Sequence, residues 1–170
     1  NPWLRINGPD AVVRVWENNL NWQLTNRLRL DAGISRVDAH FDESIERVTG
    51  LVTDQFIKRP EWTGHAGISY ENHAFFDANL FYAYTGSMLA VGEDADVWRE
   101  TEAFHVVDLG ISRDFGGVLG AGHFTVSAGI DNLFDERQKD LQNSGEDRDP
   151  TYLYGPVTPR TYYFRLSAVW

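Results

Sequence analysis

Tyr162-Tyr163-Phe164-Arg165-Leu166-Ser167-Ala168-Val169-Trp170 is the stretch that decides the fold. Tyr162, Phe164, Leu166, Ala168 and Trp170 fill every second position and are all apolar or aromatic, while Arg165 and Ser167 lie in the interleaved set. Successive side chains of a strand point to opposite faces, so one face is greasy and the other carries a charge. The length suits a strand that crosses a bilayer, about 9–11 residues. A slip by one residue would exchange the two faces, and an Arg facing lipid at the midplane costs roughly 2–4 kcal/mol. Arg165 is therefore expected in a lumen, with Tyr162, Phe164, Leu166 and Trp170 on lipid. A strand of a soluble sandwich alternates in the same way, so the rest of the chain must separate the two.

The same period of two recurs along the chain. Trp16, Leu20, Trp22 and Leu24 oppose Glu17, Asn19, Asn21 and Gln23 in a first strand from about Val12 to Leu24, with Asn18 out of place on the apolar side. From Arg27, Leu28, Leu30, Ala32 and Ile34 alternate with Arg29, Asp31 and Ser35. After Ser35 the apolar residues move to odd positions (Val37, Ala39, Phe41), which predicts a β-bulge or the exit from the membrane. Four further strands follow: Trp62 to Tyr70, Phe76 to Tyr84, one around Val107-Leu109-Ile111, and His123 to Asp131. With the terminal stretch there are roughly seven, each with one apolar face.

The connections alternate as strictly as the strands. Short turns are expected at Thr25-Asn26, Glu71-Asn72-His73 and Gly116 to Gly120, and long polar loops at Asp42–Pro60, Thr85–Thr101 and Asp135–Thr158. Outer-membrane barrels are built this way, with short periplasmic turns and longer extracellular loops. A soluble sandwich has no reason to place every long loop at one end. The sequence thus predicts an all-β chain forming part of a transmembrane, antiparallel up-and-down β-barrel.

Composition fits that class and removes others. Net charge is −10, which argues against nucleic acid as a partner, since phosphate binding needs a basic surface. There is no cysteine, hence no disulfide framework and no thiolate metal site. Mean hydropathy is negative, as expected where polar and apolar residues alternate. Phe, Trp and Tyr make up 14% of the chain, enough to supply aromatic girdles at both membrane margins. The chain opens on Asn1 rather than Met, and a removed leader or membership of a longer chain is the expectation.

Two ordered motifs give the resemblance. Ser127-Ala128-Gly129-Ile130-Asp131-Asn132-Leu133-Phe134-Asp135 is similar to the Asn-Leu-Phe-Asp signature on the penultimate strand of TonB-dependent outer-membrane receptors. Tyr152-Leu153-Tyr154-Gly155-Pro156, followed by Pro159-Arg160-Thr161-Tyr162, resembles the lead into the last strand of the same receptors, which end on an aromatic residue as Trp170 does. The residues also read physically. Asn132 and Asp135 can bond free backbone groups where a strand leaves the bilayer, and Leu133 and Phe134 can seat that end at the interface. Gly155-Pro156 is a turn signal, Pro159 suits a strand entrance, and Arg160 can meet a headgroup, lipopolysaccharide or a neighbouring loop.

The resemblance implies a barrel of about 22 strands enclosing a plug, of which residues 1–170 would be the C-terminal portion without the plug. Seven strands fall short of the smallest usual barrel of about eight, and an open edge is not viable in hydrocarbon. The expected partners are therefore the N-terminal remainder of the same receptor, the TonB complex reached through it, lipid or lipopolysaccharide, and a small-molecule ligand. Counting back from a periplasmic Trp170 puts Asn7-Gly8-Pro9-Asp10 in an extracellular loop, where a clip or split is expected. The family implies import of a scarce ligand, a ferric siderophore by default, with cobalamin, haem and oligosaccharides as competitors. A non-transporting structural or adhesive barrel is the alternative.

Candidate ligand contacts are the loop residues Trp98, Arg99, Arg148, Tyr152 and Tyr154, because aromatics and Arg often dominate binding energy. Packing between loops is the ordinary use of such side chains. No catalytic site is expected. His40 has Asp38 and Asp42 beside it, but a polar rim residue is its ordinary reading, and no nucleophile motif or phosphate loop accompanies it. No cofactor is expected either. Glu93, Asp94 and Asp96 in one loop, and Glu146, Asp147 and Asp149 in another, are weak candidates for a structural Ca²⁺, since neither follows EF-hand spacing.

Overall fold

In a computed structural model, residues 9–48, 50–91, 97–116, 122–139 and 153–169 are described. Every regular element among them is a strand: β1 (Ala11–Thr25), β2 (Leu28–Val48), β3 (Leu51–Gln55), β4 (Trp62–Tyr70), β5 (Asp77–Thr85), β6 (Leu89–Val91), β7 (Trp98–Glu100), β8 (Phe104–Gly116), β9 (His123–Asp131) and β10 (Thr161–Val169). Seven form an antiparallel meander in the order β1-β2-β4-β5-β8-β9-β10, with β3 added to β2 and a separate β6-β7 hairpin. Short connections join β1 to β2 and β4 to β5 at one end, where β8 also ends and β9 begins six residues on, and the ends of the long connections lie at the other. The barrel is not closed by these strands, since β1 and β10 are the two edges of the described sheet.

The pairing register turns local alternation into two continuous faces. One row of cross-strand neighbours reads Trp22, Leu30, Ile68, Leu80, Leu109, Ile130 and Tyr162. The adjacent row, on the opposite face, reads Gln23, Arg29, Ser69, Asn79, Gly110, Gly129 and Tyr163. No described element covers the apolar face, and Trp22, Ile68, Leu80, Leu109, Phe164 and Leu166 are all exposed on it. A soluble monomer rarely leaves a contiguous apolar patch beyond a few hundred Å², whereas a bilayer is the solvent that such a face requires. Aromatic rings mark both margins of this band. Trp16 and Trp62 meet edge to face at 6.5 Å toward the long connections, and Phe115 and Phe124 lie 6.2 Å apart toward the short turns.

The polar face is packed by exchanging glycine for reach. A Cβ on Gly129 would come within 2.4 Å of the Tyr163 ring and 2.5 Å of the Leu109 carbonyl oxygen. Tyr163 therefore lies across Gly129 toward Gly110, whose absent side chain leaves room for its hydroxyl. Beside them Asn79, Ser112, Ser127, Asp131 and Arg165 line a polar groove of ≈ 500 Å³. Arg165 thus takes the polar face, as its alternation requires.

The register decides between the two readings of the parity change after Ser35 and corrects a third expectation. β2 pairs with β1 without a shift from Arg29 to Phe41, and with β4 from Leu28 to Arg36, so the change is the exit from the membrane; the register of β2 shifts only further out, against β3, between His40 and Ile45. The apolar residues change parity because the strand has passed the Trp16–Trp62 margin, beyond which the outward face meets polar surroundings. Asp42–Pro60 is not a loop throughout. β2 runs on to Val48 and β3 folds back along it, pairing His40 with Gln55 and Ile45 with Thr53. Thr85–Thr101 likewise contains the β6-β7 hairpin. The Gly116 to Gly120 turn and Trp170 lie outside the described residues but for Gly116, the last residue of β8.

Candidate functional site

The buried residues gather at the long-connection end. Leu51, Met88, Ala90 and Phe104 are the buried apolar side chains among the described residues, and Thr101, Asn132 and Gln138 the buried polar ones. They form the inside of a collar on top of the wall. Met88 and Thr101 tie the hairpin base: Thr101 N–H donates to the Met88 carbonyl at 2.9 Å, and Met88 N–H to Thr101 Oγ1 at 3.1 Å.

Asn132 is the centre of the collar. It adopts a left-handed conformation with φ 53°, which Asn tolerates better than most residues. Its N–H donates to Asp108 Oδ1 at 2.7 Å, fixing the end of β9 to β8. Its Nδ2 donates to the carbonyls of Glu136 at 2.8 Å and Thr158 at 2.9 Å, while its Oδ1 accepts the Glu136 N–H at 2.8 Å. One amide thus joins the two limbs of the long β9–β10 connection at its root. Buried polar groups of this kind are costly to leave unpaired.

Asp135, also left-handed at φ 56°, supplies a second clamp. Its Oδ1 accepts the Arg160 N–H at 2.9 Å, and its carboxylate takes the Arg137 guanidinium through both oxygens at 2.8 and 2.9 Å. The Arg160 N–H first, and Arg137 second, hold this carboxyl below its usual range. Leu133 N–H donates to the Val107 carbonyl at 2.7 Å, and Phe134 stands 67% exposed at the rim. The Thr161 hydroxyl donates to the Pro159 carbonyl at 3.0 Å, closing the approach to β10.

Gln138 performs the matching task for Tyr154-Gly155-Pro156. Its Oε1 accepts the N–H groups of Tyr154 at 3.1 Å and Gly155 at 3.2 Å. Phe104 packs against Tyr154 with centroids 5.9 Å apart and lies where a Cβ on Gly155 would fall, 2.6 Å away. Side chains from β8 and from both ends of the β9–β10 connection therefore meet at one place.

Of the five candidate ligand residues, Arg99 and Tyr154 come together, lining with Phe104 and Lys139 a small cleft of ≈ 60 Å³. Trp98 is apart from them, and its indole N–H donates to the Val52 carbonyl at 3.0 Å, bracing the hairpin on β3. Arg148 and Tyr152 lie outside the described residues, as do Glu93, Asp94, Asp96, Glu146, Asp147 and Asp149. Among the described residues no group of three or more His, Asp or Glu converges as a metal site would. His40 Nδ1 stands 3.4 Å from Asp38, which also takes Arg14 at 3.5 Å, an exposed rim network.

Four residues with clear parts in the structure were not singled out from sequence. Asp108, Gln138 and Phe104 act across long stretches of chain, which a linear pattern does not reveal. Arg113 was missed because β8 runs further than expected, to Gly116. It sits on the apolar face opposite Val126, with its guanidinium 4.7 Å from the Phe115 ring. That direction carries the charge toward the short-turn margin.

A sheet with one lipid-ready face, short connections at one end and a braced collar at the other defines the wall of a transmembrane β-barrel. The chain matches the TonB-dependent receptor-like β-barrel family over residues 2–133, and it belongs to that family. The match takes in β1 to β9 and stops inside the Asn132-Leu133-Phe134-Asp135 motif. No curated protein matches the chain. The family is one of outer-membrane receptors of Gram-negative bacteria, so membership supports an outer-membrane receptor or transport role.

Proposed function

We propose that this chain forms wall and extracellular collar of an active-transport receptor that binds a scarce ligand and imports it with energy supplied through TonB. A ferric siderophore is the ligand we assign first, with cobalamin, haem or an oligosaccharide as the competing classes. The long connections are the extracellular ones in this reading, and the short turns are periplasmic. The remaining strands that join the β1 and β10 edges, and the plug, belong to the N-terminal remainder, which also meets the TonB complex. The role is binding and transport rather than catalysis, and needs no cofactor held by this chain.

The observation that carries the reading is the union of family membership with a collar that is built, not left loose. Asn132, Asp135 and Gln138 spend their hydrogen bonds on holding long connections in place, as receptor loops require if they are to present Arg99 and Tyr154 together. The test is uptake by cells carrying the whole receptor, with and without TonB, across radiolabelled members of the four ligand classes. Uptake of one class that disappears without TonB is the expected outcome. TonB-independent binding with no uptake of any class would favour the structural or adhesive barrel instead.

A further inference from the structure

We propose that Lys58 is a positioning residue for ligand capture, holding the hairpin that bears Arg99 and the segment that bears Tyr154 at one fixed spacing. The capture role rests on the transport reading above, whereas the spacing itself does not.

Lys58 lies in the turn that leads from β3 to β4, and the wall holds both flanks of that turn. Before it, Phe56 stacks on Phe41 of β2 with centroids 4.3 Å apart and planes within 9° of parallel. After it, the Glu61 carbonyl accepts the Val37 N–H at 2.8 Å, and the Glu61 carboxylate takes the Arg36 guanidinium at 2.7 Å. Lys58 itself is left-handed, with φ 54°. That region is uncommon for residues other than Gly, Asn and Asp, and Gly would enter it without strain. A Gly there would have no side chain to reach a second connection.

The backbone and side-chain donors of Lys58 go to two different connections. Its N–H donates to the Leu89 carbonyl on β6 at 2.7 Å. Its ammonium donates to the Leu153 carbonyl at 3.1 Å, 95 residues away in sequence. Leu89 adjoins Ala90, the cross-strand partner of Arg99 in the β6-β7 hairpin. Leu153 adjoins Tyr154. One half-buried residue therefore grips the chain beside both candidate ligand contacts. Gln138 and Phe104 hold Tyr154 from the β9–β10 connection and from β8, and Trp98 braces the hairpin on β3. Lys58 joins these two bodies to each other, through a hydrogen bond strengthened by its charge. Contacts already held at the spacing of the bound state lose less freedom when a ligand arrives. Removal of the ammonium should thus weaken capture and leave the later steps of import alone.

The experiment uses the whole receptor in nanodiscs, with heat-modifiable electrophoretic migration as the check on insertion. Val97→Cys beside the hairpin and Val157→Cys beyond Tyr154, both at exposed positions, carry nitroxide labels. Pulsed dipolar spectroscopy then reads the distance between them. One narrow distance is expected, broadened in Lys58→Met and restored in Lys58→Arg, which keeps a charged donor. Arg59→Met, at the exposed neighbouring position, should leave it narrow. Cells are then given the four radiolabelled ligand classes. Lys58→Met should raise the half-saturating concentration of the imported class about fivefold, the net worth of one hydrogen bond, with the maximal rate kept. An unchanged distance in Lys58→Met, or a broadening that Lys58→Arg fails to restore, would overturn the spacing role. A lower maximal rate at unchanged half-saturation would overturn the capture role. Import of no class by the wild type would count against the transport reading, and the distance measurement, which needs no ligand, keeps the two failures apart.

Discussion

The wall and the collar are stabilised by different means. Among the described residues of the seven-strand sheet no side chain below the level of Phe104 is buried, and large apolar residues such as Phe164 and Leu166 are more than half exposed. Its order comes from the backbone ladder and from the solvents on its two faces. The collar has its own small core and buried polar groups that bridge distant segments. A mutation in the wall should therefore show itself through the bilayer, and one in the collar through the loops.

The sharpest way to break that contrast is a charge on the lipid face. Leu166→Arg should cost about 2–4 kcal/mol in the membrane-inserted state, seen as a lower urea midpoint for unfolding from lipid vesicles. Arg165→Leu, one residue away on the polar face, should change the midpoint far less. Equal effects would mean that the two faces are not distinct.

Asn132→Ala comes next and should act on the collar. It removes the acceptor of the Glu136 N–H and both amide donors to the Glu136 and Thr158 carbonyls. It also puts Ala at φ 53°, so about 2–3 kcal/mol is expected. Limited proteolysis between β9 and β10 should accelerate, while the heat-modifiable migration of the barrel stays as in the wild type.

Gly129→Ala probes the polar face of the wall. The new Cβ would meet the Leu109 carbonyl oxygen at 2.5 Å, and that backbone atom cannot move without disturbing the β8–β9 ladder. A loss of about 1–3 kcal/mol is expected. Tyr163→Ala would remove only the ring contact and should not rescue it fully.

The smallest effect is tied to pH. Asp135 has a lowered pKa in the folded protein, so its clamp contributes fully above the ordinary value of 3.8. The contribution is lost as pH falls below that value through the lowered one. Hydrogen exchange of the Arg160 amide should rise over that acidic window and be unchanged near neutrality. In Asp135→Asn the exchange should lose this pH dependence.

Where lipid touches the chain, the fold was legible. A strand with hydrocarbon on one side must alternate strictly, and β4 and β9 coincide with the expected Trp62–Tyr70 and His123–Asp131. The extension of β2 past Phe41 and the whole of β3 were hidden, because a strand with polar surroundings on both faces needs no apolar period. Asp42-Glu43-Ser44-Ile45-Glu46 reads as a polar loop for that reason. The Asn132–Asp135 motif could be placed at a strand end from its residue types. Its partners Asp108 and Thr158, 24 and 26 residues away, could not.

Cysteine scanning of β10 tests the central claim most directly, since the chain has no cysteine of its own. Each position from Thr161 to Val169 would be labelled with a nitroxide in the whole receptor, reconstituted in bilayers, and its collisions with oxygen and with a water-soluble nickel chelate compared. The expected result is a period of two, with labels at Tyr162, Phe164, Leu166 and Ala168 favouring oxygen and those at Tyr163, Arg165 and Ser167 favouring the chelate. Uniform access to the chelate, or the opposite phase, would contradict a wall whose apolar face lies on lipid.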